Sequence, residues 1–175
     1  FARHAQVARI SQQGPATPDH VIRTKRVPML GTDVGCYAET YRRYFSEQAA
    51  STTESKTMLD PAPRVVLDRA FGLAVAGRTA KDAGIVEDIY EHTIEVILRA
   101  GALGGFQALP PRDIFEIEYW DPEQAKLNQG GRPLIFAGEV AIVTGAASGI
   151  GKAASLTLAA KGFNLRKFGH ILVGF

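Results

Sequence analysis

Residues 139–160 read EVAIVTGAASGIGKAASLTLAA, and no other stretch limits the possible fold of this chain so tightly. The run 139–143 is apolar and β-branched enough for a strand, and 150–160 is rich in the Ala, Leu and Ser of a helix. Between them, Gly145, Gly149 and Gly151 form the pattern T-G-x-x-x-G-x-G. Each glycine has a separate physical use. Gly145 permits the sharp turn off the strand end, Gly149 lets backbone approach a pyrophosphate, and Gly151 lets the helix pack closely on the strand. Amides at the helix start, around Ser148 to Ile150, would face phosphates with the helix dipole behind them. A strand, a glycine turn and a helix in this order predict the entrance of a dinucleotide-binding fold.

The rest of the chain must be compatible with that element. Apolar residues make up 46% and charged residues 22% of the 175 positions, as in an ordinary globular protein. A net charge of +2 is too mild to imply nucleic acid or an anionic membrane as partner. Beyond Gly151, however, Lys152, Lys161, Arg166 and Lys167 are accompanied by no Asp or Glu. A single cysteine, Cys36, excludes an internal disulfide framework and suits a reducing cytoplasm. His4, His20, His92 and His170 are too far apart in sequence for metal-site spacing. FARHAQVARI carries charge throughout and lacks the apolar run of a signal peptide, and no stretch is long enough to cross a bilayer. With Phe at position 1, we expect a piece of a longer chain or a processed product.

Before the glycine turn, three segments can be separated. In the first, 1–54, Tyr37, Tyr41, Tyr44 and Phe45 recur at helical spacing and predict an apolar stripe packed on a core. AASTTESKT, 49–57, reads as a solvated loop. In the second, 65–67 and 73–75 are short apolar runs joined by a tight turn at Gly72, which predicts two buried strands. Thr79 followed by Asp82 supplies a helix start, and AGALGG an end, for a helix over Ala80–Ala100. Its apolar rows are Ile85, Ile89, Ile97 and Val86, Tyr90, Ile94, Leu98, and Ile89 and Ile94 are expected to be buried. The third segment, 110–133, has Pro at both ends and Gly130–Gly131 inside, and reads as a connector with one amphipathic turn pinned by Phe115, Tyr119 and Trp120.

VTGAASGIGKA resembles the cofactor-loop signature of the short-chain dehydrogenase/reductase family, with Thr144 to Gly151 matching position by position. The resemblance implies that Gly145, Ala147, Ser148, Gly149, Ile150 and Gly151 line the phosphate and ribose of NAD or NADP. It also implies a catalytic Tyr and Lys four residues apart, well after the loop. That pair is missing: the positions four after Tyr37, Tyr41, Tyr44, Tyr90 and Tyr119 hold Tyr41, Phe45, Gln48, Ile94 and Glu123, and no Tyr follows Gly151. The acid that would meet the adenine ribose is missing too. We therefore expect no catalytic residue for redox chemistry in this chain alone. After LAAKG a second strand is expected almost at once, yet FNLRKFGHILVGF is polar first and apolar late. The span 139–175 suffices for one parallel strand–helix–strand crossover of roughly 30 residues; a truncated or frame-shifted terminus is the expectation for the tail.

TPDHVIRTKRVPML, DPAPRVVLDRAFGLAVAG and FEIEYWDPEQAKL, followed by GEVAIVTGAASGIG, resemble the middle region of bifunctional aldolase/short-chain dehydrogenases of the rhamnulose-phosphate aldolase/alcohol dehydrogenase type. The second block also resembles the strand–turn–strand–helix end of a class II aldolase domain. Catalytic aldolase domains of that family carry Asn-His-Gly in the turn, with the His on the metal. Here the triplet is Ala70-Phe71-Gly72, and Phe cannot ligate zinc. This copy is expected to be structural, with no metal site. In DHVIRTKR, His20, Arg23, Lys25 and Arg26 leave two readings open: an anion site for a sugar phosphate, or a solvated basic face with Val21 and Ile22 inward.

Together these observations predict an α/β chain: a small three-layer aldolase-like domain followed by the first strand–loop–helix of a Rossmann-type fold. The expected divisions are 1–109, a non-catalytic aldolase-like domain; 110–137, a connector; and 138–175, the start of a dinucleotide-binding domain. The implied parent is a cytoplasmic oxidoreductase fused to an aldolase, acting with NAD or NADP on a sugar-derived alcohol or carbonyl, this chain being inactive alone. The alternative is a non-catalytic assembly module, forming a homo-oligomer through the Ala80–Ala100 helix or the apolar tail.

Overall fold

The computed structural model describes residues 1–128, 134–136, 139–163, 166–168 and 171–173, with backbone alone for 126–128, 166–168 and 171–173. Gly130, Gly131, Pro133, Gly138 and His170 lie outside the described residues. Two compact units form, Phe1–Ala76 with Ala83–Asn128, and Gly77–Asp82 with Gln129–Phe175.

The first unit runs α1 (Val7–Ile10), α2 (Val21–Thr24), β1 (Met29–Leu30), α3 (Val34–Ala49), β2 (Val65–Asp68), β3 (Gly72–Val75), α4 (Ala80–Ala100), α5 (Pro111–Glu118) and α6 (Asp121–Asn128). Its sheet has the order β1-β2-β3, with β1 parallel and β3 antiparallel to β2. Val65 pairs with Val75 and Leu67 with Leu73 across the β2–β3 ribbon. Alternation along β2 turns Val65 and Leu67 inward, where they meet Val86 and Tyr90 of α4 together with Ala2.

Helix α4 has the expected bounds. Thr79 Oγ1 accepts from the Asp82 amide at 3.1 Å and donates to its carboxylate at 3.0 Å, a reciprocal cap. The buried face differs from the expected one: Val86, Tyr90, Thr93 and Ile97 are buried, whereas Ile89 and Ile94 are half-buried and Leu98 is exposed. Steps of four, three and four follow the 3.6-residue turn, whereas a straight row of fours drifts off the face. Thr93 can sit in the core because its hydroxyl donates to the Ile89 carbonyl at 3.1 Å.

A second cluster joins α3 to α5. Tyr41 and Tyr44 pack with Phe115 and Tyr119, and Phe45 completes the set; the Phe115 and Tyr119 rings lie 4.6 Å apart and those of Phe45 and Tyr119 5.2 Å apart. The α3 N-terminus is held by Asp33, whose Oδ1 accepts from the Cys36 amide at 2.8 Å.

The stretch read as a connector forms two helices, α5 and α6, separated by Tyr119 and Trp120. Pro111 occupies the first turn of α5, where a missing N–H costs nothing, so proline here starts a helix. Ile114 and Phe115 are buried, Tyr119 with them, and Trp120 stands 52% exposed.

The second unit contains β4 (Ile142–Thr144), α7 (Gly149–Ala160), β5 (Arg166–Phe168) and β6 (Ile171–Val173). Its sheet order is β4-β6-β5, antiparallel throughout. β5, the first strand after α7, therefore runs parallel to β4, but the two do not pair because β6 lies between them. β6 lies antiparallel beside β4, with Thr144 opposite Ile171 and Ile142 opposite Val173.

Candidate functional site

The glycine turn lies between β4 and α7. Gly145 (φ 67°) and Gly149 (φ 54°) both take left-handed backbone, which strains any L side chain. A Cβ on either would meet nothing within 4 Å, so the space over them is open. Gly151 is the opposite case. A Cβ there would lie 2.4 Å from the Gly145 carbonyl oxygen and 3.0 Å from that of Thr144, so the helix sits directly on the turn's backbone. One turn on, the buried Ser155 satisfies its hydroxyl within the helix, donating to the Gly151 carbonyl at 2.7 Å.

Ser148 precedes α7 in extended backbone and its side chain makes no capping bond. The first-turn amides of a helix have no partner within it, and Ser148 supplies none from its side chain. Ala147, Ser148, Gly149 and Ile150 are exposed, Ile150 by 90%, while Ala146 is buried under the turn. Open space, exposed amides and the positive end of a helix dipole fit a phosphate group. They supply no proton donor.

In the first unit, Ala70 and Phe71 lie in the turn between β2 and β3, and Gly72 begins β3. Asp68 Oδ1 accepts from the Ala70 amide at 2.7 Å, and Arg3 donates to the carbonyls of Arg69 and Ala70 at 2.9 and 3.1 Å. The turn is held by these bonds, with Phe71 outward. Among the described residues no three His, Cys, Asp or Glu side chains converge as metal ligands.

The basic run DHVIRTKR is taken apart by the fold. Lys25 is only 5% exposed, which corrects the solvated face for this residue. Its Nζ lies 3.7 Å from Glu118 Oε1 and 4.0 Å from the centre of the Tyr41 ring. Arg26 stands 4.9 Å over the Tyr44 ring. His20 meets His92 of α4 edge-on at 6.4 Å, and Arg23 is a partly exposed residue of α2.

Glu118 was not visible as a functional position in the sequence, yet it is the centre of a buried polar network. Its Oε1 accepts from the Tyr41 hydroxyl at 2.7 Å, Tyr41 and Tyr119 share a bond of 2.7 Å, and Tyr119 accepts from the Leu59 amide at 3.3 Å. Glu118 Oε2 is buried without a hydrogen-bond partner among the described residues. Burial pulls the Lys25 ammonium down to about 8 against the opposing pull of Glu118. Burial likewise pushes the Glu118 carboxyl up, with Lys25 and the Tyr41 hydroxyl opposing. Tyr41 is driven up by burial and by the Glu118 charge, and burial lifts Tyr119 to about 12. Lys25 itself has φ 65°, a left-handed conformation that non-glycine residues seldom hold without surrounding contacts to enforce it. The signal that could have revealed Glu118 is its spacing, since Ile114, Phe115 and Glu118 share one face of α5.

Comparison with known proteins gives two matches. The curated protein "Uncharacterized oxidoreductase YuxG" of Bacillus subtilis (strain 168) is 30% identical over 190 aligned positions, covering 99% of this chain and 26% of that protein. The chain thus spans about a quarter of the length of the relative it matches. No solved structure matches. Residues 1–127 match the family described as "Aldolase class II, second domain". Because that match covers most of its length, the chain belongs to the class II aldolase second-domain family.

Proposed function

We propose that this chain belongs to a cytoplasmic oxidoreductase in which the aldolase-type second domain is fused to a short-chain dehydrogenase, and that residues 145–151 cradle the pyrophosphate of NAD or NADP. The observation that carries this reading is the pairing of two left-handed glycines under open space with a third glycine that admits no Cβ. The word oxidoreductase in the relative's name, over an alignment that runs through the turn, supports it as well. Gly145, Gly149 and the exposed amides beside Ala147, Ser148 and Ile150 would hold the phosphates, and Gly151 would set the helix against them. When bound, the nicotinamide would exchange hydride with a sugar-derived alcohol or carbonyl. The Tyr–Lys pair for proton transfer is absent from this sequence, so its own residues bind and orient without turnover.

Titration of NAD and NADP into the purified chain, followed by calorimetry, tests the site. Binding that disappears in Gly149→Asp, where a carboxylate would face the phosphates, supports it. No binding of either nucleotide at about millimolar concentration overturns it. An assembly role for α4 draws on Leu98, which stands 49% exposed on that helix. Sedimentation of the wild type against Leu98→Glu separates this second reading, which falls if both run as the same monomer.

A further inference from the structure

We propose that the cavity between residues 26–30 and α3 binds a small monocarboxylate with a flat, ring-sized apolar body, the carboxylate resting on the Arg26 guanidinium. The cavity measures about 210 Å³. An apolar cavity of roughly 150 Å³ holds benzene, so this one has room for a ring and one carboxyl group. Val27, Met29 and Leu30 supply apolar wall on one side and the rings of Tyr37, Tyr41 and Tyr44 on the other.

The polar side chains of the lining decide the ligand's chemistry. Tyr37 donates to the Val27 carbonyl, Tyr44 to that of Pro111, and Tyr41 to Glu118. Gln12 donates to Pro28, Thr40 to the Cys36 carbonyl, and Asp33 is engaged as the α3 cap. The groups these bonds leave over are the Cys36 thiol, a weak donor, Gln12 Oε1, the second carboxylate oxygen of Asp33, whose charge disfavours multiply charged anions, and Arg26. Among the described residues no carboxylate lies within ion-pair distance of Arg26, which stands over the face of Tyr44 and feels the buried Glu118 charge from farther away. A guanidinium fixed by an aromatic face with its donors free is a carboxylate fork. One acid and an apolar remainder are what such a lining selects, in contrast to the multiply charged, hydroxyl-rich sugar phosphate.

A titration of the full chain monitored by amide chemical shifts, with benzoate, benzamide and inorganic phosphate as probes, tests the proposal. Benzoate should move the amides of Cys36, Tyr37 and Thr40, and benzamide should bind roughly tenfold to a hundredfold more weakly, as should benzoate to Arg26→Gln. Thr40→Phe, at an exposed position of α3, should block the cavity while the melting temperature holds. Equal affinity for benzoate and benzamide overturns the proposal, as does phosphate competing on equal terms. Unchanged benzoate binding in Thr40→Phe, or no shift of the lining amides up to about 10 mM, overturns it equally.

Discussion

The two units of this chain use apolar residues in opposite ways. In the first, Val21, Val65, Ile114 and Phe115 are almost completely removed from water, and rings stack ring on ring between α3 and α5. In the second, Ala146 and Ser155 are the only buried side chains among those described, while Val140, Ile142, Ile150 and Leu156 face outward. The second unit nevertheless has the more sharply defined backbone feature, the glycine turn. The difference teaches that a phosphate-shaped loop is a local product of φ angles and backbone contact. A hydrophobic core is a product of distant segments meeting, and the two need not come together.

The strongest way to break this contrast is by truncation. Phe115→Ala should cost about 3–5 kcal/mol in chemical denaturation, whereas Leu156→Ala should stay within about 0.5 kcal/mol. Equal losses would mean that the second unit has a core after all. The buried pair sharpens the picture from the polar side. Lys25→Met leaves the Glu118 carboxylate uncompensated and should cost about 3–5 kcal/mol, and adding Glu118→Leu should restore most of it. If the double variant is no better than the single one, the network does more than neutralise itself.

Smaller effects follow along α4. Ile97→Ala should cost about 2–5 kcal/mol, whereas Leu98→Ala, its exposed neighbour, should fall within about 0.5 kcal/mol. Thr79→Ala removes the cap and should cost about 0.5–2 kcal/mol, read as a loss of helix stability. The mildest effect is one of pH. Lys25 has a folded value near 8, below its ordinary 10.5. Its contribution is therefore full above 10.5 and lost as pH falls through 8. Raising pH from 8 toward 9.5 should stabilise the chain by less than about 1.4 kcal/mol per unit, and Lys25→Met should abolish that slope. Glu118 is raised, so its contribution is greatest below its ordinary value and declines as pH climbs through the folded one.

What could be read in the sequence was what depends on neighbours along the chain. The bounds of α4 follow from Thr79, Asp82 and the terminal glycines, and the β2–β3 ribbon from two apolar runs about a tight turn. The backbone of the glycine turn was legible for the same reason. Helix α5 was not, because Pro110 and Pro111 were read as punctuation when Pro111 in fact opens the helix. The burial of Lys25 is not legible because a basic run is ordinarily solvated, and Glu118, far away in sequence, makes that burial tolerable. The place of β6 between β4 and β5 rests on pairings such as Thr144 with Ile171, between segments far apart in sequence, which no short pattern specifies.

The seat of α7 on the turn has a consequence for how this element can vary. Because hydrogen alone fits between Gly151 and the Gly145 carbonyl, main chain rests on main chain there, and no side chain acts as spacer. Outward positions such as Ile150 and Leu156 can drift through many residue types without tilting the helix, while a single added methyl at 151 would lever it away from the strand end.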